Sequence, residues 1–226
     1  DGFTGAPALT VEDDNVRALW SDLGQRWRIR EQYFKAYPVC RWAQPAIEAA
    51  LALKRAHRFA VADVVRVGIE SFREAVDLGS QCPSPATTDE AQYSLPYGVA
   101  AALVFDRVGA EQVSATALDD RRVSRILGTI ELSEDAGFSS RFPAERWARL
   151  RITLADGRTL VSEPAQARGN PENSLTDEEL VDKYRALATP VLGAARTGRI
   201  ETLVASLAAE TAAVSALVDE LLSPVT

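Results

Sequence analysis

Three kinds of residue are scarce in this sequence, and each shortage excludes a class of site. Its 226 residues include no methionine, one histidine and two cysteines. The thiols Cys40 and Cys82 match no zinc-ligand spacing, and two are too few for a disulfide framework. No Ser-His-Asp arrangement is recognisable around His57, whose default place is a solvated helix end. Because glycine-rich phosphate loops of the G-x-G-x-x-G and G-x-x-x-x-G-K-[ST] kinds are missing as well, we predict neither a metal site nor a cofactor.

Long apolar runs and a surplus of positive charge are also absent. The longest apolar runs, such as residues 98–105, are far shorter than the ~20 residues that a membrane helix needs. The net charge of −7 and the pI of about 4.9 argue against a nucleic-acid partner, which normally meets a basic surface. Two thiols in a chain of this size favour a reducing compartment. We therefore expect a cytoplasmic protein without membrane or nucleic-acid partners.

The missing methionine has a second consequence, because the sequence begins "DGFTGAP" and shows no translation start. We expect these residues to be one part of a longer or processed chain. The C-terminal pattern agrees, since it predicts an amphipathic helix of about six turns whose apolar stripe has no obvious cover. We therefore expect that residues 1–226 do not form an independent, active monomer. The stripe consists of Ile200, Leu203, Val204, Leu207, Val214, Leu217, Val218 and Leu221.

The patterns that are present predict a compact α+β unit. Two sets of residues have capping-box spacing, Thr87 with Glu90 and Thr176 with Glu179, and each predicts the start of a helix. Alternation and turn chemistry predict a half-buried strand at 65–70 and a hairpin at 148–162 around Asp156-Gly157. The other predicted elements are short helices at 11–20, 97–105 and 119–127, a helix from Pro45, a strand at 27–35, and loops at 80–87 and 168–174.

Two dense polar and aromatic stretches remain, "KAYPVCRWAQ" (35–44) and "DEAQYSLPYG" (89–98). Both resemble motifs of the 2-methylcitrate dehydratase-like (MmgE/PrpD) family. In the first, a lysine precedes "YP", a small residue or cysteine follows, and a helix of the type "P-A-I-E-A" comes next. The second resembles "AQ-aromatic-S-L-P-Y". "GFTGAP" (2–7) and "GNPENSLTDEELVDKY" (169–184) are similar to the family's passages between its two domains, so the resemblance spans the whole chain in order.

The resemblance implies a two-domain architecture. Family members have a large all-helical domain with a smaller α+β lid inserted in it. This chain would then comprise a connector (1–24), the α+β lid (25–175) and C-terminal helices of the helical domain (176–226). The N-terminal half would be missing, as a companion chain or a removed segment. The resemblance also implies a homo-oligomer.

The resemblance further implies a site between lid and helical domain for a small di- or tricarboxylate. Arg41 would offer a planar fork for a substrate carboxylate. Lys35 would stabilise the enolate-like intermediate left when an α-proton is removed, and Tyr97 would donate or relay a proton. Gln44, Cys40 and Gln92 complete the expected substrate-binding set. Many members carry histidine where this sequence has Gln44, and glutamine does not titrate, so a histidine base from the lid is not expected here.

Each of these residues also has a plainer interpretation. Tyr97 lies in an apolar helix pattern, where a tyrosine usually packs with its hydroxyl satisfied. Arg41 and Lys35 by default are solvated, and Cys40 by default is a small hydrophobe. If Tyr97 handles a proton, Tyr97→Phe should lower kcat by roughly 10²–10⁴ and leave stability intact.

Three functions therefore stay open from the sequence. The first is part of a cofactor-independent enzyme, a dehydratase or decarboxylase that abstracts a proton next to a carboxylate. An epimerase or isomerase would re-protonate the same carbanion-like intermediate. The second is a non-catalytic carboxylate-binding module, and the third is an interaction subunit. The sequence alone does not choose between them.

Overall fold

The structure, a computed structural model, describes residue 18, residues 20–209 and residues 214–224. Most of the helix expected at 11–20, the "GFTGAP" motif and most of the expected connector lie outside these residues. The described part is a mixed α/β fold built around one small sheet. In this part, every helix is too short or too polar to traverse a lipid bilayer.

The sheet contains five strands, β1 Val64–Ser71, β2 Ile130–Glu134, β3 Trp147–Leu154, β4 Thr159–Val161 and β5 Ala165–Gln166. Their order is β2-β1-β3-β4, and β5 pairs with the start of β3. Strands β1 and β2 are parallel, whereas β3 is antiparallel to β1, β4 and β5. The predicted strand and hairpin are therefore confirmed, and the Asp156-Gly157 turn joins β3 to β4.

Nine helices connect or flank these strands in the described residues. They are α1 Gln44–His57, α2 Arg73–Gln81, α3 Thr88–Tyr93, α4 Leu95–Phe105, α5 Ala115–Leu118, α6 Arg121–Leu127, α7 Ala136–Ser139, α8 Asp177–Ser206 and α9 Val214–Leu222. Both predicted capping boxes form, at the starts of α3 and α8. Ser94 caps α4, so Pro96 falls in its first turn, where a missing N–H costs nothing.

The core lies between one face of the sheet and the helices α1 and α4. Alternate residues of β3, such as Leu150 and Ile152, are buried there, and α1 packs against both β3 and α4. Gly98 allows this close packing, because a Cβ there would lie 2.9 Å from Ile47 Cδ1. The opposite face carries charged side chains such as Glu70 and Arg149, whose carboxylate and guanidinium are 3.2 Å apart. One face of the sheet is therefore buried in the core, and the other face is partly exposed to solvent.

The strand predicted at 27–35 is wrong. Arg28–Glu31 form a 3₁₀ turn, and residues 32–35 are irregular. The turn is held by ion pairs, with the Arg28 guanidinium 3.1 Å from Asp22 and 3.5 Å from Glu31. A strand needs a neighbouring strand for its backbone groups, but among the described residues the one backbone–backbone hydrogen bond from this segment to a distant part of the chain joins the Phe34 N–H to the Gly169 carbonyl, at 2.9 Å.

The single six-turn C-terminal helix is also wrong. Helix α8 ends at Ser206, and α9 is a separate helix. Within α8, Gly193 adopts φ 74° and ψ 157°, which breaks the helix three residues after Pro190. Arg196, nearly buried, donates to the Glu220, Ser223 and Pro224 carbonyls at the end of α9, at 2.6, 2.6 and 3.1 Å. The tail thus turns back on itself, since α9 packs along the second half of α8.

The tail nevertheless leaves apolar side chains exposed. These exposed side chains are compatible with the expectation that further helices cover the tail, which stays a prediction. The domain boundaries 1–24, 25–175 and 176–226 also stay predictions. The exposed tail residues are Leu187, Val191, Val204, Leu207, Val214, Val218, Leu221 and Leu222.

Candidate functional site

The two motif stretches of the sequence meet through residues 33–44, which run from the irregular stretch into the first residue of α1 and are here named the Lys35 segment. The backbone N–H of Cys40 donates to the carbonyl of Gln92, with 2.6 Å between nitrogen and oxygen. Gln92 lies in α3 and Cys40 lies just before α1, 52 positions earlier in the chain. The contact therefore brings both stretches to one surface, as a shared site requires.

The start of the Lys35 segment depends on Gly169. Phe34 donates its N–H to the Gly169 carbonyl at 2.9 Å, and Gly169 adopts φ +98°. A Cβ at this position would lie 1.9 Å from the Phe34 carbonyl oxygen. Glycine is thus required twice, for its positive φ and for the close approach of two backbones.

Arg41 is buried, with 6% of its surface exposed, and its guanidinium hydrogen-bonds to other residues of this chain. It donates to the carbonyls of Ala167 and Arg168 and to Asn170 Oδ1, the last at 2.7 Å. The guanidinium carbon also lies 4.3 Å from the centre of the Tyr33 ring. Burial lowers the pKa of Arg41. This geometry favours a tether that holds residues 167–170 against the segment, and the predicted substrate contact stays a prediction.

Gln44 is completely buried at the start of α1. Its Nε2 lies 3.3 Å from both the Tyr37 and the Val39 carbonyl oxygens, to which it donates. Its Oε1 is buried and finds no hydrogen-bond partner among the described residues. Gln44 therefore closes the turn before α1, and its expected substrate contact also stays a prediction.

Three predicted residues reach the surface, Lys35, Cys40 and Gln92. Lys35 is exposed, whereas Cys40 and Gln92 are half-buried. The Lys35 carbonyl accepts a hydrogen bond from Lys183 Nζ of α8 at 2.6 Å, and Gln92 Nε2 donates to the Thr88 carbonyl at 3.1 Å. The backbone of Lys35 is thus anchored to α8, whereas its side chain is exposed.

Tyr97 has a different environment, in the core. Its side chain has no exposed surface, and its hydroxyl donates to the Gln112 carbonyl at 2.7 Å. Burial raises the pKa of Tyr97 to about 12. Gln112 belongs to the 3₁₀ turn Ala110–Val113, outside the Lys35 segment. The geometry favours the packing interpretation of Tyr97 over the proton-handling one.

We expect Tyr97→Phe to lower stability and to change turnover by less than about tenfold. The variant keeps the ring but leaves the Gln112 carbonyl without its donor, at a cost of about 1 kcal/mol. Unfolding curves and kcat of the complete protein measure both effects. A fall in kcat of roughly 10²–10⁴ at unchanged stability would instead establish the proton-handling role.

Sequence reasoning did not select two ionisable residues, Tyr37 within the Lys35 segment and Glu48 in α1. Both are half-buried, and each shifts the pKa of the other. Burial raises the pKa of Glu48, and burial, followed by the Glu48 charge, raises that of Tyr37. The signal was available, since both residues belong to the quoted motifs, Tyr37 to "YP" and Glu48 to "P-A-I-E-A".

Comparisons with known proteins agree with these motifs. The model of the MmgE/PrpD C-terminal domain matches residues 37–209. A curated relative, the cis-aconitate decarboxylase-like protein oryM of Aspergillus oryzae (strain ATCC 42149 / RIB 40), is 29% identical over 193 residues. That alignment covers 82% of this chain and 39% of the relative, so this chain corresponds to well under half of the relative's length. The family match covers most of the chain, the whole second motif stretch and residues 37–44 of the first, and the chain therefore belongs to the MmgE/PrpD family.

Proposed function

We propose that this chain contributes part of the site of a cofactor-independent lyase of the dehydratase or decarboxylase type. The substrate would be a small di- or tricarboxylate from which a proton next to a carboxylate is removed. The family and the relative's name, which refers to decarboxylation of a tricarboxylate, support this at a coarse level. The observation that carries the proposal is the 2.6 Å hydrogen bond from the Cys40 N–H to the Gln92 carbonyl, which joins the two motif stretches at one surface.

In this proposal Lys35 supplies the positive charge. Removing an α-proton leaves negative charge on the carboxylate as an enolate-like species, and a fixed ammonium group nearby stabilises that charge more than it stabilises the substrate. Cys40 and Gln92 are half-buried and are joined to each other by that backbone hydrogen bond. The base would come from outside the described residues or from a partner segment, because Gln44 does not titrate.

The first experiment measures proton exchange, since dehydratase, decarboxylase and epimerase share the first step. The complete protein is incubated in D₂O with a panel of small di- and tricarboxylates, and deuterium incorporation and product formation are followed by NMR. Loss of water or carbon dioxide supports the lyase. Exchange with inversion and no loss supports the epimerase or isomerase. Binding without exchange of any panel member overturns the enzymatic proposal in favour of a carboxylate-binding module.

We expect Lys35→Met to lower kcat by roughly 10²–10³, because the variant keeps the side-chain length and removes the charge. Stability should change little, since the Lys35 side chain is exposed. Arg158→Met is the matched control, as it removes an exposed cation from the β3–β4 turn. Turnover of Lys35→Met equal to that of the control would remove Lys35 from the site.

A further inference from the structure

Lysine is rare in this chain, and two of its three lysines meet at one point. Of the 25 basic side chains, three are lysine, Lys35, Lys54 and Lys183, and the other 22 are arginine. Lys183 Nζ donates to the Lys35 carbonyl at 2.6 Å, although the two residues are 148 positions apart. An ammonium group is a compact point charge that a guanidinium does not replace. A pair of lysines in an arginine-rich chain therefore indicates a place that needs compact cations.

The third lysine has a partner within the fold, whereas the pair has none. Lys54 Nζ lies 3.2 Å from Asp106 Oδ1 and 3.4 Å from the Phe59 carbonyl oxygen, so its charge is compensated at the end of α1. Among the described residues, neither Lys35 nor Lys183 makes an ion pair with a carboxylate. Two cations without an anion therefore lie at one surface.

The environment of Lys183 leaves most of its hydrogen-bonding capacity unused. An ammonium group has three donors, and the Lys35 carbonyl accepts from one of them. The carboxylate one helical turn earlier, Glu179, is committed to Arg168 by two bonds of 2.7 Å. Because Lys183 is half-buried, its charge is partly removed from water and gains from an anionic partner. Within the described part of the chain, no acceptor meets its other two donors.

We propose that Lys183 is a further substrate-binding residue, which pairs with a second carboxylate of the substrate while Lys35 meets the carboxylate beside the reacting carbon. The ligand class rests on the function proposed above. Lys183 Nζ contacts the backbone of Lys35 itself, so the distance between the two ammonium groups is limited by the reach of the Lys35 side chain. One small di- or tricarboxylate can therefore contact both.

The two lysines should have different kinetic effects. The second carboxylate keeps its charge throughout the reaction, so an ion pair to it stabilises the substrate and the transition state equally. Lys183→Met should therefore raise KM by roughly 10–100-fold and leave kcat within about threefold of wild type. Loss of Lys35 should instead lower kcat, because the charge that it stabilises develops only when the proton leaves.

Binding of non-reactive ligands tests the pairing without turnover. The probes are succinate, glutarate and the monoamide of each, titrated into the complete protein and followed by NMR. We expect wild type to bind each dicarboxylate roughly 10–100-fold more tightly than its monoamide, and this preference to disappear in Lys183→Met. If Lys183→Met weakens the dicarboxylate and the monoamide alike, Lys183 acts only by holding the Lys35 backbone, and the proposal is wrong.

Two further variants separate the Lys183 charge from general effects of charge and folding. Lys183→Arg keeps the positive charge and should keep at least part of the preference for the dicarboxylate. A loss as complete as in Lys183→Met would overturn the pairing. Arg185→Met is the matched control, because it removes an exposed cation of α8 that pairs with Glu201 at 2.8 Å, and it should bind the probes as wild type does.

The outcomes distinguish this inference from the proposed function. If the preference depends on Lys183 but wild type exchanges no substrate proton, the lyase proposal fails and the role of Lys183 stands. If wild type turns over a substrate and Lys183→Met leaves KM unchanged, the lyase stands and the role of Lys183 fails. Wild type that shows no preference for the dicarboxylates overturns the pairing as well.

Discussion

Gly169→Ala is expected to destabilise the fold by about 3 kcal/mol or more, the largest effect of any substitution considered for this chain. The alanine must adopt φ +98°, and its Cβ would lie 1.9 Å from the Phe34 carbonyl oxygen. Because the obstacle is backbone rather than a flexible side chain, Phe34 and Lys35 must move. A displacement of about 1 Å at a catalytic group costs on the order of 10² in rate. Chemical unfolding and kcat of the complete protein measure the two effects.

Gly157→Ala separates the clash from the strain of the backbone. Gly157 also has a positive φ, +86°, but a Cβ there would meet no atom within 4 Å. Its replacement should therefore cost only the left-handed strain, about 1–2 kcal/mol, and should leave kcat unchanged because the β3–β4 turn carries no proposed site residue. If both alanines cost the same, the contact between Gly169 and Phe34 does not organise the segment.

Arg41→Lys is expected to destabilise the protein by about 2–4 kcal/mol, the second-largest effect. One lysine ammonium cannot replace a planar guanidinium that reaches the Ala167 and Arg168 carbonyls and Asn170 Oδ1 together. Turnover should fall as well, because residues 167–170 hold Phe34. Unfolding curves at neutral pH measure the loss of stability. Arg151→Lys, on the exposed sheet face, should stay within about 0.5 kcal/mol of wild type.

A double-mutant cycle distinguishes the tether from the substrate fork. If Arg41 acts through the loop, Arg41→Lys and Asn170→Ala should be non-additive in stability, since each breaks the same 2.7 Å hydrogen bond. If Arg41 binds a substrate carboxylate, Arg41→Lys should raise KM strongly while Asn170→Ala leaves KM unchanged. If the changes in unfolding free energy are additive and Arg41→Lys raises KM, Arg41 contacts the substrate and is not a tether.

The elements that the sequence predicted correctly are those whose signals are local. A capping box joins residues three positions apart, and an Asp-Gly turn is complete within two residues. Strand β2 was missed because its alternation, Ile130 and Leu132 with Glu131 and Ser133, extends over only five residues, and the β1 residues that pair with them are 63 positions away. The strand expected at 27–35 failed although its loose alternation was present, because among the described residues this segment pairs with no strand of the sheet.

The candidate site could likewise be predicted only in part from the sequence. The motifs indicated which residues cluster, and the bond between Cys40 and Gln92 agrees with that clustering. Exposure was not predictable from the motifs, because it depends on what the fold places around each side chain. Arg41 became buried only because the 167–170 loop folds over it, and Tyr97 only because α4 packs inward. Lys35 stayed exposed because no described element covers it.

The carboxylate of Glu179 belongs to two parts of the fold at once. It accepts the Thr176 N–H at 2.8 Å inside the capping box that begins α8, and it makes the paired 2.7 Å bonds to Arg168 of the loop held by Arg41. Arg168 first, and then Thr176, hold the pKa of Glu179 at about 2. The link is therefore complete above the unfolded value of about 4.3 and weakens only as pH falls towards 2. Nucleation of the helical tail is thus tied to the sheet layer, so its first turn and the loop should open and close as a single cooperative unit.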